Sequence, residues 1–436
     1  MNQGTHAESN IRKVALTSLA GTSIEWYDFF LYGAAAGLVF PKLFFGEASP
    51  TTALILSFLT FAAGFIARPV GGIIFGHFGD LIGRKKTLVI ALMLMGISST
   101  LIGLLPTYAT IGIAAPILLT LLRFAQGIAI GGQWGGAMLL VTESAPKEKR
   151  GYYGAYAQAG APIGVILANL AFIGVGLFTN EESFLAWGWR IPFLASFILI
   201  IISLYIQLKL EDTEAFKELE SLKEQNLIED KVIKSSPILE AIRKYPQRIS
   251  LAAGAFLSVQ VTFYILIAFL LAYGVETTDL DRDDLLLAVL IGSAIMVPTQ
   301  FYFSAYSDRN GRKGVFMAGA ALTAMWAFAI FPLMASGSFI LAVLAIAVGL
   351  TFLGMMYGPQ AAFFAELFST EVRYSGASLG YQLGAIIGGS FAPIIATLLW
   401  KNYDIFWVSV YIAFASTLSL ISVYMLTETF QKDLND

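Results

Sequence analysis

Runs of about 20 apolar residues, each long enough to cross a hydrocarbon core of roughly 30 Å as a helix, recur along the chain with short polar breaks between them. The pattern predicts spans at 17–40, 52–76, 87–105, 111–139, 153–178 and 190–209, then at 248–273, 284–305, 314–334, 338–362, 374–399 and 404–427. The third and fourth spans are separated by little more than Pro106, and the ninth and tenth by Ser336-Gly337, so each pair reads as a helical hairpin. Between the sixth and seventh spans lies a charged, helix-prone stretch broken by Pro237 and Pro246. The fold class that follows is an all-α integral membrane protein of twelve transmembrane helices. Residues 1–209 form one six-helix bundle, 210–247 a linker with amphipathic surface helices, and 248–436 a second bundle.

The polar breaks set the orientation, because Lys and Arg accumulate in cytoplasmic loops. One side of the predicted topology carries Arg12, Lys13, Arg84, Lys85, Lys86, Lys147, Lys149, Arg150, Arg309, Arg312, Lys313 and Arg373, together with the basic residues of the linker. The other side carries little beyond Lys42, Arg190, Arg282 and Lys401, against a larger set of acids. Both termini and the linker are therefore expected in the cytoplasm.

Two motifs recur at nearly equal offsets. The run from Gly76 through Asp80 and Gly83 to Arg84-Lys85 is answered by Ser304 through Asp308 and Gly311 to Arg312-Lys313, 228 residues on. Glu143 through Arg150 is answered by Glu366 through Arg373, 223 residues on. Two pairs on the same side imply parallel six-helix halves related by an axis along the membrane normal, an arrangement suited to alternating access. Gly76, Asp80, Gly83, Arg84, Glu143, Arg150, Asp308, Arg312, Glu366 and Arg373 would then form cytoplasmic charge networks that hold the halves together and break on opening. Topological stop signals are the plainer alternative.

Composition narrows the chemistry. The 436 residues are 57% hydrophobic and 13% charged, with mean hydropathy +0.72. No cleavable signal peptide is expected, since the first apolar run is longer than a signal's core. Cysteine is absent, which excludes thiol nucleophiles and thiolate metal sites, and two histidines leave no histidine triad or zinc motif. A net charge of −3 argues against a nucleic-acid partner.

Against that background, charges inside the spans stand out, because each costs several kcal/mol unless partnered or hydrated. Glu25 and Asp28 lie three residues apart on one face of the first span and are candidates for carrying a proton. Arg123 is near the middle of the fourth span, where its fork could pair with Asp28 or Glu25, or with a substrate carboxylate. Arg68 is the second intramembrane cation, either an anion contact or a side chain reaching for the interface. Gln126, Gln133 and Trp134 follow Arg123 on the same helix; Gln260, Tyr264, Gln300, Tyr302, Tyr357, Gln360, Tyr381 and Gln382 are polar residues of second-half spans. As a set they imply a polar cavity. Static ion pairs and interhelical hydrogen bonds are the competing explanation for each singly. Trp26, Tyr27 and Trp134 could instead hold a betaine by cation–π contact.

The loop from Gly76 to Lys85, with its degenerate second copy, resembles the signature of the major facilitator superfamily. More narrowly, Glu25-Trp-Tyr-Asp-Phe29, Ala67-Arg-Pro-Val-Gly-Gly72, Arg123-Phe-Ala-Gln-Gly127, Gly131-Gly-Gln-Trp-Gly-Gly136 and Trp187-Gly-Trp-Arg-Ile-Pro-Phe193 resemble its metabolite:proton symporter family. That family includes shikimate, 2-oxoglutarate, citrate and proline/betaine carriers. No coiled-coil tail of the kind expected in osmosensing betaine carriers follows Glu428, so an osmoregulatory role is not expected. The resemblance implies the major facilitator fold and a proton-coupled symporter of the bacterial inner membrane. Its partners would be the lipid bilayer and a small organic acid or zwitterion, it would work as a monomer, and it would need no cofactor or metal beyond the proton. Substrate would be held by Arg123, Gln126, Gln133, Trp134, Arg68, Tyr27, Tyr357 and Gln360, and the proton by Asp28 and Glu25. An export antiporter and a non-transporting nutrient sensor are the alternatives; a membrane enzyme would not explain the repeated cytoplasmic motifs.

Overall fold

A computed structural model of the protein shows helix along nearly the whole chain. The structure describes residues 2–82, 84–131, 138, 141–143, 145–211, 237–369 and 372–430, without the side chains of 2–10, 76–82, 84–88, 206, 207, 209–211, 237–240 and 374. The long helices of the first half are α1 (Asn2–Leu38), α2 (Pro50–Ile82), α3 (Arg84–Leu104), α4 (Ala114–Gly131), α5 (Arg150–Gly176) and α6 (Arg190–Glu211). In the second half, α7 runs Pro246–Tyr264, makes a π-helical turn at Ile265–Phe269, and continues Leu270–Thr277. After it come α8 (Arg282–Asn310), α9 (Arg312–Ala335) and α10 (Phe339–Glu366). Then α11 runs Arg373–Gly384, makes a π-helical turn at Ala385–Ser390 and resumes Ala392–Asn402, and α12 spans Phe406–Met425.

Among the described residues, 9 helices are long and apolar enough to cross a membrane, or 10 if the bent pair Glu181–Gly188 and Arg190–Tyr205 counts as one span. The remaining two of the expected twelve are α3, whose described apolar stretch is the shorter Val89–Leu104, and α1, which is diluted by its own polar residues. One boundary moves. The fourth span begins at Ala114 rather than 111, because a single turn (Tyr108–Ile111) ends at Gly112 with φ 58°, a left-handed conformation that glycine adopts at no steric cost. The ninth–tenth link is as tight as expected, with Gly337 at φ 68°.

The packing repeats. In the first half α1 packs on α5, α2 on α4 and α3 on α6; in the second, α7 packs on α11, α8 on α10 and α9 on α12. The halves meet through two reciprocal crossings, α2 against α11 and α5 against α8, with α1 also touching the π-helical turn of α7. A two-fold relation between six-helix units generates this map. Most of the linker, 212–236, lies outside the described residues, as do the side chains of Asp80 and Arg84, those of the helix end around Gly76, and Gly83 itself; of the predicted surface helices, Pro237–Lys244 is described. One apolar core runs through both halves, joining Phe29, Phe61 and Phe65 to Phe256, Tyr264 and Tyr381.

Candidate functional site

The intramembrane charges converge at mid-bundle. Asp28 and Arg123 are 0% exposed and Arg68 1%, so none of the three looks outward toward lipid. Arg123 reaches over α2 at Gly64, where a Cβ would lie 2.6 Å from its Nε; any larger residue there would displace the guanidinium. Its Nη1 donates to Gln126 Oε1 (3.0 Å), whose Nε2 donates in turn to Ser99 Oγ (2.7 Å) on α3. The rest of the guanidinium is enclosed by rings, with Cζ 4.0 Å from the centroid of Phe29, 4.4 Å from Tyr32 and 4.8 Å from Phe61.

Arg68, one helix over, is treated alike. Its Cζ is 4.5 Å from the centroids of both Phe29 and Phe65 and 5.3 Å from Trp26. The polar neighbours of its guanidinium are Tyr264 and Tyr381, both from the second half. It does not reach for the membrane surface; it points at the opposite bundle. Both arginines retain Nε and Nη2 groups with no hydrogen-bond partner among the described residues. Buried donors of this kind cost free energy until something accepts from them.

Asp28 has Ser99, Ser196 and Arg123 as polar neighbours, yet neither carboxylate oxygen meets hydrogen-bond geometry with any of them. Nor do Asp28 and Arg123 form a direct ion pair, so the expected pairing of the two is absent from this closed arrangement. Glu25, a turn nearer the cytoplasm, is partly exposed rather than fully buried. Gln133 and Trp134 lie outside the described residues.

Two expected ligand contacts, Tyr27 and Gln126, make other bonds, and one residue expected to line the cavity, Tyr302, faces away from it. The Tyr27 hydroxyl donates to the Pro192 carbonyl (2.7 Å), tying α1 to α6 within one half. Gln126 is engaged by Arg123 and Ser99 and acts as a brace for the guanidinium. Tyr302, two residues past Gln300 and so on the opposite helix face, is 64% exposed. Tyr357 and Gln360 are buried on α10, at 5% and 1%, with Tyr357 beside Tyr381. The Gln360 amide has no partner at either atom among the described residues.

At the end of the bundle where the repeated motifs lie, six of the ten residues expected in a charge network, Glu143, Arg150, Asp308, Arg312, Glu366 and Arg373, come together, while Asp80 and Arg84 lie outside the described side chains. Glu366 receives Arg150 (3.2 Å) from the first half and Arg312 (3.2 Å) from its own, and Arg373 pairs with Glu143 across the interface at 3.4 Å. Asp308 bonds Arg312 (2.6 Å) and also accepts the backbone N–H groups of Gly151 (2.7 Å) and Tyr152 (2.8 Å), capping α5 from the other half. The sequence reading missed two contributors beyond α12. Thr429 donates to Glu366 (2.7 Å), and Glu428 accepts the first N–H groups of α9, Arg312 and Lys313, each at 3.0 Å.

The opposite end is shut by a smaller device, also unanticipated. Arg282, at the start of α8, pairs with Glu181 of the first half at 2.9 Å and lies 3.6 Å over the Phe184 ring. Below it Asn169 Nδ2 donates to the Leu286 carbonyl at 2.9 Å. Both ends are closed over a buried polar centre, and each closure joins one half to the other.

The Major Facilitator Superfamily model matches residues 18–379. The chain is 41% identical over 430 residues to the inner membrane metabolite transport protein YhjE of Escherichia coli (strain K12), covering 97% of this chain and 95% of that protein. It is 37% identical to the shikimate transporter of the same organism, covering 98% of this chain and 97% of that protein, and 31% identical to the proline/betaine transporter of Salmonella typhimurium, covering 98% and 85%. Among solved structures, a D-xylose-proton symporter superposes with a TM-score of 0.75 over 97% of this chain and 100% of that one, at 18% identity. With the repeated packing and the two inter-half closures, these likenesses lead to one conclusion: the chain belongs to the major facilitator superfamily and is a multi-pass membrane transporter, not an enzyme.

Proposed function

We propose that this transporter carries a small organic acid or zwitterion into the cell together with a proton, by alternating access in the inner membrane, both termini facing the cytoplasm. The observation that carries the reading is the under-satisfied triad at mid-bundle: a buried carboxylate on Asp28 beside Arg123, and Nε and Nη2 groups on Arg123 and Arg68 with no hydrogen-bond partner among the described residues. A static ion pair would be direct and saturated, because leaving one buried partner uncompensated costs about 3–5 kcal/mol. Here each member has capacity to spare.

Proton and substrate are coupled through that capacity. An ionised Asp28 offsets the positive field of Arg123 and weakens its hold on an anion. Once protonated, Asp28 no longer competes, and the two guanidiniums accept the substrate carboxylate through their free N–H groups. Bound substrate supplies the negative charge that protonation of Asp28 removed, so the closed form can again bury the centre. The Glu366–Arg150–Arg312–Asp308 network then parts and the cytoplasmic side opens. A proton crossing 100 mV supplies about 2.3 kcal/mol, enough for roughly fifty-fold accumulation of a zwitterion; a monocarboxylate carried with one proton is electroneutral and is driven by the pH gradient instead. The inner-membrane placement draws on the E. coli relative, and the orientation on the Lys and Arg distribution.

The test is Asp28→Asn in proteoliposomes. Gradient-driven accumulation of substrate should vanish while exchange of labelled for unlabelled substrate persists. Retained ΔpH-driven accumulation would remove Asp28 from the proton role, and accumulation only when the proton gradient points outward would make the protein an exporter.

A further inference from the structure

The guanidiniums account for one end of a ligand. The other end faces the second half, where the unsatisfied groups are of a different kind. Gln260 on α7, Gln300 on α8 and Gln360 on α10 are 5%, 0% and 1% exposed, and the Oε1 of each has no donor among the described residues. Gln158 on α5, 0% exposed, has the same deficit. The orientations of two of these amides are fixed. Gln300 Nε2 donates to the Ala155 carbonyl and Gln158 Nε2 to the Tyr357 carbonyl, both at 3.3 Å, so their oxygens are the groups left over.

Two of these amides, Gln260 and Gln360, are continuous with the arginine site. A Cβ placed on Gly389 would lie 2.7 Å from Gln260 Oε1, 2.9 Å from the Tyr264 ring and 2.8 Å from the Phe65 ring, and Phe65 carries the Arg68 guanidinium. On α10, Gln360 shares a face with Tyr357, which neighbours Tyr381, itself a neighbour of Arg68.

We propose that the substrate is a hydroxylated carboxylate, its carboxylate on Arg68 and Arg123 and its hydroxyls donated to the amide oxygens of Gln260 and Gln360. This deepens the transport reading and rests on it. Neutral acceptors select hydroxyl donors over a fixed cation, because a buried cation calls for a carboxylate partner. The described acids of the second half lie at the two ends of the bundle: Asp308, Glu366 and Glu428 in the network at one end, and Glu276, Asp279, Asp281, Asp283, Asp284 and Asp404 at the other. The tyrosines that would cradle a quaternary ammonium are already neighbours of Arg68, whose charge repels one. A betaine also brings no hydrogen-bond donor, which leaves the amide oxygens as they were.

Equilibrium binding to the purified full-length protein, with no proton gradient, separates this from the coupling mechanism. The probes are quinate and gluconate, their unhydroxylated counterparts cyclohexanecarboxylate and hexanoate, and glycine betaine. At least one hydroxylated acid should bind about tenfold or more tightly than its counterpart and than betaine, the magnitude of one or two hydrogen bonds. Gln360→Leu should erase that preference and leave the unhydroxylated acid unaffected; Gln260→Leu is the second variant should the first fail to fold. Equal or tighter binding of the unhydroxylated acids or betaine overturns the proposal, as does the absence of binding by every hydroxylated acid, or a preference that survives both variants. Asp28→Asn should keep the hydroxyl preference, so loss of proton coupling and loss of hydroxyl recognition are read separately.

Discussion

The Arg123 guanidinium sits 4.0 Å from the centroid of the Phe29 ring, and the same ring lies 4.5 Å from the guanidinium of Arg68. A single apolar side chain is thus shared by two buried cations that would otherwise repel each other across a low-dielectric space. The ring's negative face offers each of them partial compensation without being an anion, and so without competing for the proton on Asp28 or for a substrate carboxylate. An acid at position 29 would lock both arginines; an aliphatic residue would leave both bare.

Phe29→Leu should therefore cost more than its modest change of volume. About 1–2 kcal/mol of cation–π attraction is lost, and thermal unfolding in detergent should register it. Phe29→Ala, which adds a cavity, should cost about 3–5 kcal/mol. Both should weaken substrate binding; unchanged stability and affinity in Phe29→Leu would mean that the shared ring is only filler.

Gly64→Ala tests the space that Arg123 occupies. The added methyl would lie 2.6 Å from Nε, so the guanidinium must move or α2 and α4 must separate. Substrate affinity should fall at least about tenfold, the equivalent of one charge-assisted hydrogen bond. Calorimetry checks this directly. Affinity within about twofold of the parent would show that the arginine relocates freely and that its position is not used.

Glu366 is the hub of the cytoplasmic closure, and Glu366→Gln should open it. The residue is 1% exposed and bonds Arg150, Arg312 and Thr429, so neutralising it removes the anion that two buried guanidiniums share and shifts the balance by about 3–5 kcal/mol. The natural sequence has no cysteine, so a single probe at buried Ala361 reports the opening cleanly. Ala361→Cys should react with a thiol reagent at least about tenfold faster in the Glu366→Gln background. An unchanged rate would reduce the network to a topological marker.

The outer closure should yield much less. Glu181 is 58% exposed, and a solvated pair of that kind contributes about 1 kcal/mol or less. Arg282→Ala should widen the distance distribution between spin labels placed at Phe178→Cys and Asp279→Cys only modestly, with the open population rising by about fivefold at most. A shift as large as that of Glu366→Gln would refute the asymmetry. With the inner closure stronger than the outer, the substrate-free protein should rest facing outward.

The sequence exposed the parts of this design that violate the rules of a hydrocarbon solvent. Asp28, Arg68 and Arg123 are legible because a charge in an apolar run is expensive, and the cytoplasmic network is legible because its motifs repeat. The ring cage was not legible. Phe29, Phe61 and Phe65 cost nothing in a membrane helix, so their presence carries no signal until a guanidinium is found beside them. Tyr27 was misjudged for a related reason: one residue from Asp28 is about 100° of helix, enough to turn its hydroxyl into α6. Glu428 and Thr429 were overlooked because they follow the last span, where polar residues are unremarked. The outer pair Arg282–Glu181 joins segments far apart in sequence with no repeat to announce it.

The position of those last two residues reaches beyond packing. Glu428 holds the first turn of α9 and Thr429 steadies Glu366, so the segment just past the final helix is stitched into the seam that Glu366 makes between the halves. Peeling that strand away, whether by a protease, a bulky fusion or a bound partner, would slacken the seam from outside the bilayer. Such a loosening would act without touching the substrate.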